Sequence, residues 1–301
     1  MQFKKEPNVY YIQPDGYVNT EELGQGYYNI GKKDFSAFLD ENNFIDYLGF
    51  RSNYDATLAT NSAIFTMKHH YYYGNSRAND VAHARSTILS DNIVLNTFKK
   101  NNYKTHFLTE YPYLMFNRPK MGYDYSNFNK NEIPFIGNCL EIYKDVLPSL
   151  NAYLDQDSSE PKFFFIEIFN PKHISNGLKG ENKITRYREE YKTNLKQANS
   201  TFQEIINAIT QKDSNLLIVI MADHGGYLGF KNLQEGNIIT KERNKLYSMF
   251  SSKLAIRWPN SDYTTYDDKL RTTVNLFRVL FSYLSQDTSY LHHLETMLVM
   301  L

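Results

Sequence analysis

Two short segments set the strongest limit on what this chain can fold into. Phe163 to Phe169 reads "FFFIEIF" and Leu216 to Met221 reads "LLIVIM", with almost no polar alternation. A strand with one wet face alternates apolar and polar residues, whereas a near-continuous apolar run suits a strand covered on both faces, as in a mainly parallel sheet. The segments between such runs fit that demand. From Thr57 the apolar residues Leu58, Ala59, Ala63, Ile64 and Met67 follow helical spacing. Further helices are expected over Asp34 to Asn43, Asp91 to Lys100, Leu140 to Tyr153, Tyr187 to Thr210 and Lys269 to Leu284. Further strands are expected at Asn8 to Gln13, within Phe44 to Tyr54, at Tyr103 to Thr109 and at Lys253 to Trp258. Strands alternating with helices imply an α/β fold, a three-layer α/β/α sandwich around a mainly parallel sheet. No repeat, low-complexity segment or long linker divides residues 1–301, so a single domain is expected.

Composition narrows the function classes. With 42% hydrophobic residues in 301 the chain can bury a large core. Lys+Arg and Asp+Glu are both 33, so no bulk attraction draws it to nucleic acid, and no nucleic-acid partner is expected. The single cysteine, Cys139, excludes an internal disulfide and a cysteine zinc cluster. No apolar run reaches the ~20 residues that span a bilayer, and the amino-terminal apolar run is broken by Pro14 and Asp15, unlike a signal peptide. The chain therefore reads as cytoplasmic, with peripheral membrane association left open and no signal for oligomeric state. The 25 Tyr and 20 Phe mostly serve core packing, although clusters such as "HHYYYG" (His69 to Gly74) offer stacking faces to sugars.

The chemistry-bearing residues sit at strand ends. The run Leu216 to Met221 leads straight into Ala-Asp-His-Gly-Gly, which suits a turn. In a parallel sheet, however, ligands collect at the carboxyl ends of strands. Asp15 follows the first strand, Asp223 and His224 follow a later one, and Thr57 opens a helix, where it also suits the N-cap. Two carboxylates, an imidazole and a hydroxyl form a four-ligand set for a divalent metal. His69, His70, His83, His106, His292 and His293 read as surface or core, with His69 and His70 the best exceptions because they follow the Thr57 helix. Arg51 and Lys172 read as solvated charges that could also meet a phosphate.

Taken in order along the chain, these pieces resemble the alkaline phosphatase superfamily. The resemblance is to its sulfatase-like branch of lipoteichoic acid synthases and phosphoethanolamine transferases. "PNVYYIQPDGY" looks like that branch's first strand and metal acid, "SNYDATLATNSAIFTM" like its nucleophile segment and "FFFIEIFNPKH" like its central strand. "IVIMADHGG" matches its late Asp-His-Gly signature, and "TTVNLFRVLFSYL" resembles the helix near its end. Setting Thr66 and Met67 on the Thr-Gly of the sulfatase pattern puts Thr57 at the nucleophile. Ala59 and Asn61 then stand where sulfatases have Pro and Arg, so formylglycine chemistry is not expected. The same register suits relatives with an unmodified threonine.

The resemblance implies an enzyme with one divalent metal ion (Mn²⁺, Mg²⁺ or Zn²⁺) held by Asp15, Thr57, Asp223 and His224. It would move a phospho-alcohol group, of phosphoglycerol or phosphoethanolamine type, from a phosphate-ester donor through Thr57 to a surface glycan or its precursor. Thr60 and Asn61 would contact the phosphate beside the helix N-terminus. Glu167 and Lys172 stand in columns where relatives carry His, with His173 one place later, so Lys172 and His173 are substrate-binding candidates and His173 a leaving-group acid. Two alternatives stay open: a phosphodiesterase or phosphatase of the same architecture, and a noncatalytic glycan-binding protein on the same fold.

Overall fold

Strands β1 (Asn8–Pro14), β2 (Ile45–Asp46), β3 (Lys104–Thr109), β4 (Tyr125–Ser126), β5 (Lys162–Ile168), β6 (Leu216–Met221) and β7 (Leu254–Arg257) form one sheet in the order β2-β7-β6-β1-β5-β3-β4. They come from a computed structural model that describes residues 1–31, 33–69, 77–134, 139–156, 159–174, 182–237 and 240–297. β1 lies in the middle, parallel to β5 on one side and to β6 on the other. β3 and β4 extend the parallel part, while β7 and β2 close the other edge antiparallel. Around the sheet run α1 (Thr20–Leu23), α2 (Lys33–Glu41), α3 (Thr57–Thr66), α4 (Arg77–Leu89), α5 (Ile93–Lys100), α6 (Leu147–Leu154), α7 (Lys183–Lys212), α8 (Arg243–Phe250) and α9 (Leu276–Ser285). None of the described helices is long and apolar enough to cross a membrane.

The apolar runs are buried on both faces, as their composition demands: every residue of β5 and β6 is buried. Pleating sends Tyr11, Phe165 and Val219 to one face, where they pack with Phe65 of α3, Phe98 of α5 and Phe277 of α9. Tyr10, Phe164 and Ile218 point the other way, against Phe202, Ile205 and Ile209 of α7. Rings carry much of this packing. Tyr11 stacks on Phe165 at 5.2 Å and Phe98 on Phe163 at 4.1 Å. Such contacts add about 0.5–1.5 kcal/mol to the area buried, and Phe98→Ala would cost about 3–5 kcal/mol through the cavity it leaves.

Local boundaries depart from expectation for identifiable reasons. The helix expected over Leu140 to Tyr153 is a 3₁₀ turn at Cys139–Glu141, then an irregular stretch, then α6 from Leu147. Pro148 accounts for this, since proline fits a first helical turn and breaks an interior. The helix expected from Lys269 starts at Leu276. Upstream, the stiff β-branched run Thr272–Val274 favours extended and 3₁₀ backbone, and Arg51 bridges to Thr272. Within Phe44 to Tyr54 only Ile45–Asp46 is strand, because Gly49 turns the chain at φ 70°. Residues His70 to Gly74 of the tyrosine cluster lie outside the described residues.

Candidate active site

The strand ends build a cleft in layers. On the α3 face, pleating places Gln13 of β1, Glu167 of β5 and Thr109 of β3 side by side, in register across three strands. Thr109 Oγ1 donates to Glu167 at 2.9 Å. Burial pushes the Glu167 carboxyl well above its usual range; the Thr109 bond opposes this and neighbouring Asp223, Asp15 and Glu110 add to it. Gln13 and Asn61 exchange amide hydrogen bonds of 2.6 and 2.8 Å, locking α3 to the sheet.

Above this row the loops after β1, β5 and β6 converge. Gly16 adopts φ 70°, and a Cβ there would lie 2.7 Å from the Lys172 carbonyl carbon, so the first two loops touch backbone to backbone. Lys172 N–H donates to the Asp15 carbonyl at 3.0 Å. Asp223 Oδ1 accepts from the N–H groups of His224 and Gly16 at 2.9 and 3.2 Å. Asp223 Oδ2 and Asp15 Oδ1, both buried, have no hydrogen-bond partner. His224 Nδ1–H donates to the Gly225 carbonyl at 2.8 Å, which leaves Nε2 as a lone-pair donor.

That lone pair points into the unsatisfied oxygens. His224 Nε2 lies 3.6 Å from Asp15 Oδ1, 3.4 Å from Asp223 Oδ2 and 3.5 Å from Thr57 Oγ1. Ligand bonds of roughly 2.0–2.2 Å in a tetrahedron put ligand atoms about 3.3–3.6 Å apart. The spacing and the two orphaned oxygens fit a divalent cation held by Asp15, Asp223, His224 and the Thr57 hydroxyl. Asp15, Asp223 and His224 also keep ligand atoms within 4.8 Å of one another. The electrostatics agree: burial raises the Asp15 carboxyl pKa, with Asp223 adding to the rise and His173 opposing it. Burial disfavours the charged His224 ring, but Asp223 and Asp15 outweigh it and raise its pKa.

Thr57 is the first residue of α3, and the cap position belongs to Ala56, which has no capping side chain. This corrects the N-cap expectation and leaves the Thr57 hydroxyl turned to His224. A cavity of about 320 Å³ opens beside it, lined by Asp15, Thr57, Asp223, Lys172 and His173, with Gln13 and Glu167. Its far wall is Leu140, Ile174 and three rings, Tyr111, Tyr113 and Phe169. His173 Nδ1–H donates to the Ile174 carbonyl at 2.8 Å, so Nε2 is the ring position that can gain or lose a proton.

Thr60 and Asn61 depart from the expected phosphate contacts. Thr60 is fully buried with its hydroxyl on the Tyr54 carbonyl, and the Asn61 amide is consumed by Gln13, so neither lines the cavity. They share the Thr57 side of α3 but lie one turn further in, buried between the helix and its neighbours. His69 lies against Tyr54 and the Thr296 carbonyl, and Arg51 against Tyr247. Sequence reasoning missed Gln13, Tyr111, Tyr113 and Phe169 as lining residues. Glu167 had a readable signal, because an acid inside a run buried on both faces is the anomaly that marks a site.

Solved structures share this architecture at low identity. The C-terminal periplasmic domain of EcEptC from Escherichia coli matches at 12% identity, covering 94% of this chain and 82% of that one, with a TM-score of 0.62. The C-terminal periplasmic domain of the phosphoethanolamine transferase EptC from Campylobacter jejuni matches at 11% identity, 93% and 90% coverage and TM-score 0.62. A glycosaminoglycan-locus sulfatase of Bacteroides thetaiotaomicron matches at 14% identity, 95% and 74% coverage and TM-score 0.61. Among curated proteins no sequence matches. Two of these neighbours are periplasmic domains, which overturns the cytoplasmic expectation; that expectation had rested on the lack of a spanning segment, and an extracytoplasmic domain needs none of its own. A sulfatase family model matches residues 37–285, and with that share of its length matched the chain belongs to the sulfatase family.

Proposed function

We propose that this sulfatase-like enzyme transfers a phospho-alcohol group, of phosphoethanolamine or phosphoglycerol type, to a glycan or glycan precursor outside the cytoplasm, as one catalytic domain with Thr57 as nucleophile. The observation that carries the reading is the unmodified Thr57 hydroxyl, 3.5 Å from His224 Nε2, where a formylglycine sulfatase would need Cys or Ser. A bound divalent cation would be held by Asp15, Thr57, Asp223 and His224; it would lower the pKa of the hydroxyl and offset charge on the phosphate oxygens.

The chain's own groups do the rest. Thr57, its hydroxyl proton already lost to solvent, attacks phosphorus in line as the alkoxide, a P–O bond to the donor alcohol breaks, and a protonated His173 Nε2 gives that alcohol its proton. His173, now neutral, takes the proton of the acceptor hydroxyl as it attacks the phospho-threonine, and Thr57 leaves. Lys172, at the cavity rim, supplies positive charge for the phosphate. The N-terminus of α3 presents N–H groups and its positive dipole end to the same oxygens. The rings of Tyr111, Tyr113 and Phe169 support a sugar acceptor: they meet at 63° and 82°, a corner suited to a puckered ring rather than a slot for a flat base.

The test is acceptor dependence. With Zn²⁺ or Mn²⁺ and a phosphodiester bearing ethanolamine, an oligosaccharide acceptor should gain phosphoethanolamine faster than water releases it. Release into water at a rate indifferent to acceptor would replace the transferase by the hydrolase. Binding of glycan with no turnover of any phosphate ester would favour the noncatalytic reading.

A further inference from the structure

The loop after β6 carries one more side chain that touches each part of the site without joining the ligand set. Tyr227 has φ 61°, a left-handed conformation unfavourable for a residue with a Cβ. Such outliers persist where the surroundings hold them. Its N–H donates to the Ser248 carbonyl at 3.3 Å, its own carbonyl accepts from Phe230 N–H at 3.2 Å, and the side chain is 6% exposed.

From that fixed backbone the ring lies edge-on to His224, 5.7 Å away at 88°, and to His173, 6.1 Å away at 71°. Its hydroxyl donates to the Asp55 carbonyl, two residues before Thr57. One rigid side chain therefore joins the β6 loop, the β5 loop and the entry to α3. Gly236 backs the ring: a Cβ at that position would lie 2.7 Å from Tyr227 Cε1. The absent side chain at Gly236 is thus part of how the ring is seated.

We propose that Tyr227 is a positioning residue that sets the separation between the Thr57 hydroxyl and the His173 and His224 imidazoles. This rests on the reading of Thr57 and His173 as reacting groups. Tyr227 does not line the cavity and reaches the reacting groups only through the edges of the two imidazoles. A ring that only filled space would tolerate loss of its hydroxyl, whereas a spacer would not, because an error of about 1 Å in reacting geometry costs about 100-fold in rate.

Tyr227→Phe keeps the ring and removes the tie to Asp55. Its kcat should fall about 10- to 100-fold while KM and Zn²⁺ affinity stay within about threefold and the melting temperature barely moves. Tyr227→Leu removes the edge contacts as well, so Zn²⁺ affinity should fall about tenfold or more and the ¹⁵N ring signals of His173 and His224 should shift. Gly236→Ala, which displaces the ring, should lower kcat in the wild-type background and add nothing in Tyr227→Leu. Wild-type kcat in Tyr227→Phe overturns the proposal, as do unshifted ring signals in Tyr227→Leu. An active Thr57→Ala would overturn the catalytic reading; the Zn²⁺ affinity and ring signals would still decide whether Tyr227 holds the imidazoles.

Discussion

Replacing Thr57 by alanine is expected to abolish turnover and leave the fold intact. The structural cost is small for reasons visible at the site. Ala56, not Thr57, occupies the cap position, and the Thr57 hydroxyl reaches His224 only at 3.5 Å, at the limit of a hydrogen bond. Alanine is the better helix former by roughly 0.5 kcal/mol, so the net change should lie within about 0.5 kcal/mol, or about 1–2 °C in melting temperature for a domain of this size. The catalytic cost is of another order. Loss of a nucleophile removes about 10⁴-fold or more from kcat, at least ~5.5 kcal/mol of barrier. The assay pairs thermal denaturation by circular dichroism with release of p-nitrophenol from bis(p-nitrophenyl) phosphate in excess Zn²⁺ or Mn²⁺. Thr57→Ser should retain part of the activity. Turnover of Thr57→Ala within tenfold of wild type would remove Thr57 as nucleophile, and a drop of more than about 5 °C would refute the claim that its hydroxyl is structurally idle.

Asp223→Asn should weaken Zn²⁺ binding at least about tenfold, read by competition with a chelating dye, with activity partly restored at high metal; unchanged affinity would remove Asp223 from the ligand set. His106 is 1% exposed, sandwiched by rings at 4.7 Å (Tyr125) and 4.3 Å (Phe164), and both its nitrogens are unpartnered. Burial, helped by Lys162, lowers its pKa to about 3. The unfolded chain therefore takes up a proton that the folded one refuses, and stability is lost as pH falls from 6.5 towards 3, by about 2–3 kcal/mol at pH 4.5. His106→Phe should cancel that part of the acid sensitivity, seen as a smaller difference in urea midpoint between pH 7 and pH 4.5. Gly225→Ala should destabilise by about 1–3 kcal/mol or more, because its Cβ would sit 2.2 Å from the Ser248 carbonyl oxygen; an unchanged urea midpoint would contradict the close approach.

What could be read beforehand was whatever burial writes directly into residue type. "FFFIEIF" and "LLIVIM" announce strands covered on both faces, and Asp15 and Asp223-His224 announce themselves by following β1 and β6. Direction is not written there, so the antiparallel entry of β7 could not be anticipated from its apolar composition. Nor could the fate of Asn61. Its amide faces Gln13, 48 positions away, and only the packing of α3 on β1 decides that this polar side chain is structural. Tyr227 was hidden for the same reason: its left-handed backbone is imposed by Ser248 and Phe230, partners that no local pattern reveals.

The central place of β1 carries a kinetic consequence. Its hydrogen-bond partners are β5, which begins at Lys162, and β6, which begins at Leu216. During synthesis the segment "NVYYIQP" therefore emerges long before anything can pair with either of its edges. Closing loops of that length precedes the contacts that reward it, which makes folding slow and leaves an apolar, unpaired strand exposed meanwhile. Asp15 cannot meet Asp223 until the chain beyond β6 exists, so a nascent chain that ends before residue 223 cannot bring the two carboxylates together. A chain that stalls before residue 216 lacks β6, the partner of one edge of β1, and offers that edge for aggregation.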